Sequence, residues 1–180
     1  VVADPADGTI VADELLPAGM RKVRTEIATR AEHLWSPNDP YLYDVTATLE
    51  FGAAKSQGKQ EKLQQESQEI QEKPAKSQEK QDIVRSYCAF RTVEIKPDLK
   101  GIARFHLNGK PVFLKGVLDQ GYWPDGLLTA PSDEALVHDI IAMKESGFTM
   151  LRKHIKIESA RWYYHCDRLG MLVWQDAVSG

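Results

Sequence analysis

No part of the chain carries the roughly 18 consecutive apolar residues that a membrane-spanning helix needs, and no membrane partner is predicted. Cysteine is scarce. Cys88 and Cys166 lie outside any CxxC or His/Cys metal spacing, so we expect two buried thiols that pack as small apolar groups. Neither sign of charge predominates, because 23 basic and 26 acidic residues leave a formal net charge of -3. This near balance argues against a nucleic-acid partner.

Motifs of several common active sites are missing as well. The chain has no glycine-rich phosphate loop, no serine nucleophile elbow and no HExxH zinc motif. The sequence therefore predicts no metal site and no cofactor. Its 180 residues, 42% of them hydrophobic, are sufficient for one or two globular domains.

The first part of the chain, residues 1–96, has the pattern of a β-sheet domain. In YLYDVTATLEF, residues 41–51, apolar and polar side chains alternate, which predicts a strand with one buried face. The turn-forming run SPNDP precedes it, and IVRSYCAFRTVEI predicts further strand before Pro97. We expect a β-sandwich in this part.

Residues from about 55 to 81 differ in composition from their surroundings. Lys, Gln, Glu and Ser dominate, and Leu63 and Ile70 are the only large apolar residues. Such a segment buries too little apolar surface to offset its ordering entropy, so we expect a solvated insertion between two strands. A partner-binding coiled coil is the alternative, although two apolar residues do not form a heptad seam.

The second part, residues 97–180, changes to alternating strands and helices. Asn108-Gly109 between two apolar runs predicts a hairpin. Strands are expected at 113–118, 148–151 and 171–174. A helix that is capped by Ser132 and ends at Gly147 separates the first two strands. A second helix, at 158–169 and ended by Gly170, separates the last two. Such alternation predicts a parallel sheet covered by helices. The residues after Lys96 are about a third of the roughly 250 that an eight-stranded barrel needs.

Polar and aromatic side chains follow each predicted strand of this second part, where parallel α/β folds bind their ligands. Charged groups form strong hydrogen bonds to hydroxyls, and aromatic rings cover the apolar faces of a sugar. The candidates are Asp119, Gln120, Tyr122, Trp123 and Asp125 after the first strand, Arg152, Lys153 and His154 after the second, and Trp174, Gln175 and Asp176 after the third.

Each candidate also has a structural interpretation. Arg152 can pair with Asp119 or Asp176 at the rim of the sheet, and His154 can be a hydrogen-bonded structural group. Loop packing is an equal alternative for Trp123. We expect solvated loop charges at Lys153 and Lys156, and helix-to-sheet packing at Trp162, Tyr163 and Leu169.

Several strings, in this order, resemble glycoside hydrolase family 2, which contains β-galactosidases, β-glucuronidases and β-mannosidases. LWSPNDPYLYDV and FRTVEI look like strands of its immunoglobulin-like domain, and LNGKPVFLKGV looks like its entry hairpin and first barrel strand. HDIIAMKESGFTMLR and WYYHCDRLGMLVWQD look like the continuation to the third barrel strand. The resemblance implies a multi-domain β and α/β chain: the end of an immunoglobulin-like β-sandwich in residues 1–96, then the first strands and helices of a TIM (β/α)8 barrel in residues 97–180.

The family implies a retaining β-glycosidase that uses two Glu residues, an acid/base and a nucleophile. It places both after later barrel strands, so we expect no catalytic residue in this chain and no activity of the chain alone. Arg152 matches the Arg that lines the family's substrate pocket. Some members bind Mg²⁺ or Na⁺, through residues that we expect outside this chain, and a homo-oligomer of the full-length protein is left open.

Two departures from the family's pattern concern the sugar. Many β-galactosidase-like members follow that Arg with a Ser-His-Tyr-Pro string, whereas the aligned residues 154–157 are HIKI, so the sugar-contacting His is absent. The third strand ends in Trp-Gln-Asp rather than Asp-Glu. We predict a carbohydrate substrate; a non-catalytic carbohydrate-binding protein and a scaffold that recruits a partner through the insertion are the alternatives. The predicted substrate-binding residues are Arg152, Asp119, His154, Trp174 and Asp176.

Overall fold

The structure, a computed structural model, describes residues 1–14, 16, 19, 28–30, 33–51 and 80–178. The elements in chain order are β1 (Val2–Ala3), β2 (Ile10–Ala12), β3 (Tyr43–Phe51), β4 (Lys80–Cys88), β5 (Val93–Pro97), β6 (Ala103–Leu107), β7 (Lys110–Pro111), β8 (Gly116–Asp119), α1 (Asp133–Glu145), β9 (Met150–Lys153), α2 (Ala160–Leu169) and β10 (Leu172–Gln175). The predicted insertion lies outside the described residues except for positions 80 and 81, which belong to β4. None of the described helices has the length and apolar composition that crossing a bilayer demands.

The first sheet is antiparallel, with strands in the order β2-β1-β3-β4. Strands β3 and β4 pair along their full length, from Tyr43 opposite Cys88 onward. The predicted strand is therefore present, but its apolar face is buried at one end only: Tyr43 is 1% exposed, whereas Leu49 is 55% exposed. Alternation predicts which residues share a face, and the burial of that face depends on what packs against it.

The second sheet is a three-stranded antiparallel meander in the order β5-β6-β7. Its β6–β7 hairpin turns at Asn108 (φ 52°) and Gly109 (φ 74°), the pair of left-handed residues that a type I′ turn requires. The predicted hairpin is thus confirmed. The side-chain NH₂ of Asn108 also donates to the carbonyl oxygen of Trp35 at 3.0 Å, which ties the turn to the segment before β3.

The third sheet is parallel, with β8, β9 and β10 adjacent in chain order. Helix α1 connects β8 to β9 and α2 connects β9 to β10, so the predicted alternation of strands and helices is confirmed. Ser132 caps α1, where its hydroxyl accepts from the amide of Ala135 at 3.2 Å. Helix α2 ends at Gly170, whose φ of 73° is a conformation that glycine adopts without strain.

The predicted boundaries shift by two or three residues at several points. Strand β8 begins at Gly116 rather than at Phe113, and β9 begins at Met150 rather than Phe148. Helix α2 begins at Ala160 rather than Glu158, after Ser159, whose backbone is extended with a φ of -64° and a ψ of 151°. Element type therefore followed from the pattern, and the ends depended on local contacts.

The core of the parallel part lies between the sheet and its two helices. The buried cluster consists of Leu136, Ile140, Leu151, Trp162, Cys166 and Met171, with Tyr163 and Leu169 packed against it. The predicted packing role of the α2 aromatic residues is confirmed. Cys166 is a buried free thiol as expected, whereas Cys88 is only half-buried. Burial raises the pKa of both thiols, so neither is activated as a nucleophile.

The antiparallel and parallel parts meet at helix α2. The indole of Trp35 donates to the carbonyl oxygen of Asp167 at 2.7 Å, and the Tyr87 hydroxyl donates to the Asp167 carboxylate at 2.9 Å. Lys144, at the end of α1, donates to the carbonyl oxygen of Pro37 at 2.9 Å. These bonds fix the parallel sheet against the segments next to β3 and β4.

Candidate functional site

The parallel sheet has one face packed on its helices and one face open. Val117, Leu151 and Val173 are at the same register, and all three belong to or pack against the core cluster. Because successive side chains of a strand point to opposite faces, the next register row, Leu118, Arg152 and Trp174, lies on the other face, where all three are exposed. We call this face the open face.

Arg152 and Asp176 form an ion pair on the open face at the carboxyl end of the strands. The guanidinium Nε donates to Asp176 Oδ1 at 3.1 Å and Nη2 donates to Oδ2 at 3.0 Å, a bidentate geometry. The hydrogen bond and the charge of Asp176 raise the pKa of Arg152. Three of the five guanidinium N–H groups have no partner among the described residues, so Arg152 can bind a further acceptor while it stays paired.

Trp174 supplies an apolar surface beside this pair. It is the register partner of Arg152 in the parallel sheet and is 47% exposed. The ring of Phe105 meets it edge-on, with centroids 6.2 Å apart, and this contact holds one side of the indole. The remaining exposed indole surface can stack on an apolar ligand face.

His154 follows β9 directly and is tied to the loop after β8. Its Nδ1 lies 3.1 Å from the side-chain amide nitrogen of Gln120, and its backbone N–H donates to the Asp119 carbonyl oxygen at 3.0 Å. In this arrangement Nδ1 is an acceptor, which leaves Nε2 to carry the proton. These contacts agree with the structural interpretation of His154 as a hydrogen-bonded group.

Asp119 lies on the packed side, away from Arg152. Its carboxylate accepts from Lys153 Nζ at 2.8 Å and from the amide of Gly121 at 2.8 Å. Register explains this position, because Asp119 is the partner of Lys153 and shares the face of Val117. Of the five predicted sugar ligands, the structure brings Arg152, Trp174 and Asp176 together, places His154 beside them in the chain and separates Asp119.

The expectation that Lys153 is a solvated loop charge is wrong. Its side chain is 1% exposed, and Nζ lies 4.3 Å from the centroid of the Trp162 ring. Besides Asp119, it donates to Glu158 Oε1 at 3.1 Å. The sequence contained the signal: Lys153 is two residues after the buried Leu151, so a strand places both on one face.

The same expectation is wrong for Lys156. Its Nζ donates to the carbonyl oxygens of Gly121 at 2.7 Å and Leu128 at 2.9 Å, and lies 2.7 Å from Glu158 Oε1. No local pattern indicates the two contacts with carbonyl oxygens, which join residues 35 and 28 positions apart. Burial opposes ionisation of Glu158, yet the hydrogen bonds and charges of the two lysines together lower the pKa of Glu158.

We call Asp119, Lys153, Lys156 and Glu158 the buried charge cluster. Two ammonium groups face two carboxylates, so the cluster is formally neutral. Gly121 lies against it so closely that a Cβ there would be 2.2 Å from Glu158 Oε1. The cluster thus fixes the loop after β8 beneath the open face.

The candidates that follow the first strand do not contribute to the Arg152–Asp176 pair on the open face. Trp123 packs against the core cluster and exchanges backbone hydrogen bonds with Leu127, which favours the loop-packing interpretation. Tyr122 is exposed. Among the described residues, no group of three or more His, Cys, Asp or Glu side chains is arranged to hold a metal ion.

Comparison with known proteins gives one consistent group of relatives. The β-galactosidase of Photobacterium profundum is 34% identical over 88 residues, which are 49% of this chain and 8% of that protein. The β-galactosidase of Yersinia enterocolitica is 28% identical over 156 residues, 86% of this chain and 12% of that protein. The chain therefore spans about a tenth of the length of these curated relatives. No protein-family model matches the chain.

The fold has relatives among solved structures. The Bifidobacterium dentium β-glucuronidase complexed with coumarin-3-O-glucuronide superposes with a TM-score of 0.69 at 23% identity, over 99% of this chain and 24% of that one. The shared architecture is antiparallel sheets followed by parallel β/α units. The sequence relatives are β-galactosidases and the structural neighbours are β-glucuronidases, and together they support the resemblance of this chain to a segment of glycoside hydrolase family 2.

Proposed function

We propose that this chain is part of a retaining β-glycosidase and that it supplies the side of the sugar site built from Arg152, Asp176 and Trp174. The observation that carries the proposal is the bidentate Arg152–Asp176 pair at the carboxyl end of parallel strands, with a half-exposed indole at the same register. In this proposal the residues before the parallel sheet are the end of an immunoglobulin-like sandwich, and the three parallel strands are the first three strands of a (β/α)8 barrel.

The chemistry of the site suits a carbohydrate. The free N–H groups of Arg152 donate to sugar hydroxyls, and Asp176, oriented by the same Arg, can accept from them. Trp174 covers an apolar face of the ring. The backbone and Gln120 orient the His154 ring, and we propose that its Nε2 proton is a further donor to the sugar.

The two reacting carboxyl groups of the proposed mechanism are not Asp119 or Asp176. A general acid must be free to pass a proton to the substrate, whereas Asp176 accepts from two N–H groups of the Arg152 guanidinium and Asp119 accepts from the Lys153 ammonium. A nucleophile must be free to approach the anomeric carbon, and both groups already have strong partners. The acid/base and nucleophile of the proposed reaction therefore belong to other residues of the full-length protein.

The test is an assay of the full-length protein from the gene that encodes this chain. A panel of aryl β-galactosides, β-glucuronides, β-mannosides and β-glucosides is expected to give saturable hydrolysis with at least one sugar. Arg152→Ala is expected to lower kcat/KM by at least tenfold, with Arg161→Ala, an exposed arginine of α2, as the matched control. The 180-residue chain alone is expected to give no turnover.

Two results would contradict the proposal. Saturable hydrolysis by the chain alone would mean that it holds its own catalytic pair. Sugar binding by the full-length protein without hydrolysis of any glycoside on the panel would support the alternative, a carbohydrate-binding protein on the same scaffold.

A further inference from the structure

We propose that Lys156 is a positioning residue for the sugar site, which fixes the loops after β8 and β9 as one unit and, through Gln175, holds the Arg152–Asp176 pair. The proposal rests on the glycosidase function for its kinetic readout only. It concerns a lysine whose contacts the proposed sugar chemistry does not use.

Lys156 joins two loops with a fully used ammonium group. An ammonium has three N–H donors, and Nζ of Lys156 has three acceptors: the carbonyl oxygens of Gly121 and Leu128 and the carboxylate of Glu158, all within 2.9 Å. Its side chain is only 13% exposed, so water competes weakly for these donors. The loop from 121 to 128 is therefore tied at both of its ends to the segment that follows β9.

Gln175 carries this connection to the open face. Its side-chain NH₂ donates to the carbonyl oxygen of Lys156 at 2.8 Å and to that of Asp176 at 2.8 Å, so both of its donors are used. The Tyr163 hydroxyl donates to Gln175 Oε1 at 2.5 Å and fixes the orientation of the amide. The main chain of Asp176 is thus held to Lys156, while its carboxylate holds Arg152.

The backbone beside Lys156 shows that these contacts override local preference. Ile155 adopts a φ of 47°, a left-handed conformation that is rare for a β-branched side chain. Strain of this kind persists only where the surroundings over-determine it. The inward bonds of Lys156 and the bond from His154 to Asp119 on either side of Ile155 supply that constraint.

The experiment is a double-mutant cycle on the full-length protein. The charge-neutral variant Lys156→Met/Glu158→Gln is expected to lower kcat/KM by at least tenfold. Arg152→Ala added to it is expected to cost at least fivefold less than in the wild type, because Arg152 has already lost its support. Lys144→Met is the matched control: this lysine also donates to two backbone carbonyls, but at the opposite ends of the strands, so it is expected to be additive with Arg152→Ala.

A second variant keeps the test decisive if the first one does not fold. Gln175→Ala leaves the buried charge cluster intact and removes an exposed side chain. It is expected to show the same non-additivity with Arg152→Ala. If both Lys156→Met/Glu158→Gln and Gln175→Ala are additive with Arg152→Ala, the proposal is overturned. If only Gln175→Ala folds, its additivity with Arg152→Ala is enough to overturn it.

Hydrogen exchange separates this proposal from the glycosidase function. In Lys156→Met/Glu158→Gln, the amides of residues 121–123, 125–128 and 176 are expected to exchange at least tenfold faster than in the wild type. In Gln175→Ala the same is expected for the amide of residue 176. Lys144→Met is expected to leave them unchanged. If the wild type hydrolyses no glycoside, the proposed function fails and exchange alone decides the positioning role; unchanged exchange in both test variants would overturn it.

Discussion

The indole nitrogen of Trp35 donates a 2.7 Å hydrogen bond to the main-chain carbonyl oxygen of Asp167, 132 residues further along the chain. Trp35 is fully buried, and the guanidinium of Arg91 lies 4.7 Å from the centroid of its ring. Asp167 of helix α2 thus accepts one hydrogen bond from the segment before β3, and its carboxylate accepts another from the Tyr87 hydroxyl of β4. The orientation of the parallel sheet relative to the antiparallel part depends on this junction.

Trp35→Phe is expected to destabilise the protein by about 2–3 kcal/mol, because it leaves a cavity and removes the indole donor from the partly buried carbonyl oxygen of Asp167. Tyr87→Phe removes only one hydroxyl from the same Asp167 and is expected to cost about 1 kcal/mol. Thermal denaturation of both variants measures the difference. Equal shifts in Tm would mean that Trp35 contributes no more than a single hydrogen bond.

Glu158 is expected to make stability depend on pH in the acid range. Its pKa is lowered in the folded protein from the ordinary value of 4.5, so its contribution is fully present above about pH 4.5 and is lost as the pH falls through the lowered value. Denaturant unfolding between pH 3 and 7 is the measurement. Glu158→Gln should flatten this part of the profile, whereas Glu145→Gln, an exposed acid of α1, should leave it unchanged.

Gly121→Ala is expected to be strongly destabilising, by about 3 kcal/mol or more, because it combines backbone strain with a steric conflict. The φ of 62° is unfavourable for alanine, and the added Cβ would lie 2.2 Å from Glu158 Oε1 and 2.9 Å from Lys156 Nζ. Gly109→Ala is the control, with a φ of 74° and open space around the added Cβ; it is expected to cost about 1 kcal/mol. A smaller loss of Tm for Gly121→Ala than for Gly109→Ala would contradict the tight packing of the cluster.

Ile155→Gly is expected to raise stability by about 1 kcal/mol, because glycine adopts a φ of 47° without strain and the lost side chain is only about half-buried. Ile157→Gly provides the comparison, since its backbone is not left-handed and its side chain is also exposed. That variant is expected to lower Tm slightly. The strain interpretation is wrong if both substitutions destabilise equally.

Local signals in the sequence predicted most of the secondary structure. Asn108-Gly109 specified its hairpin because both residues tolerate left-handed backbone, and Ser132 and Gly170 marked helix ends through capping and positive φ. Arg152 could be proposed for the site because it follows an apolar strand, and parallel strands collect their ends at one edge. Its pairing with Asp176 was one of two options, and only the register of β9 and β10 decided between them.

The sequence by itself determined the order of strands and helices, the turns and the row of polar groups at the strand ends, because each depends on residues that are close in the chain. The tertiary structure decided where the charges go. Lys153 and Lys156 are as polar as any surface lysine, and their burial became favourable only when Asp119, Glu158 and two loop carbonyls reached them from distant positions. Desolvating a charge is favourable only if its partners are already in place, and that condition belongs to the folded chain.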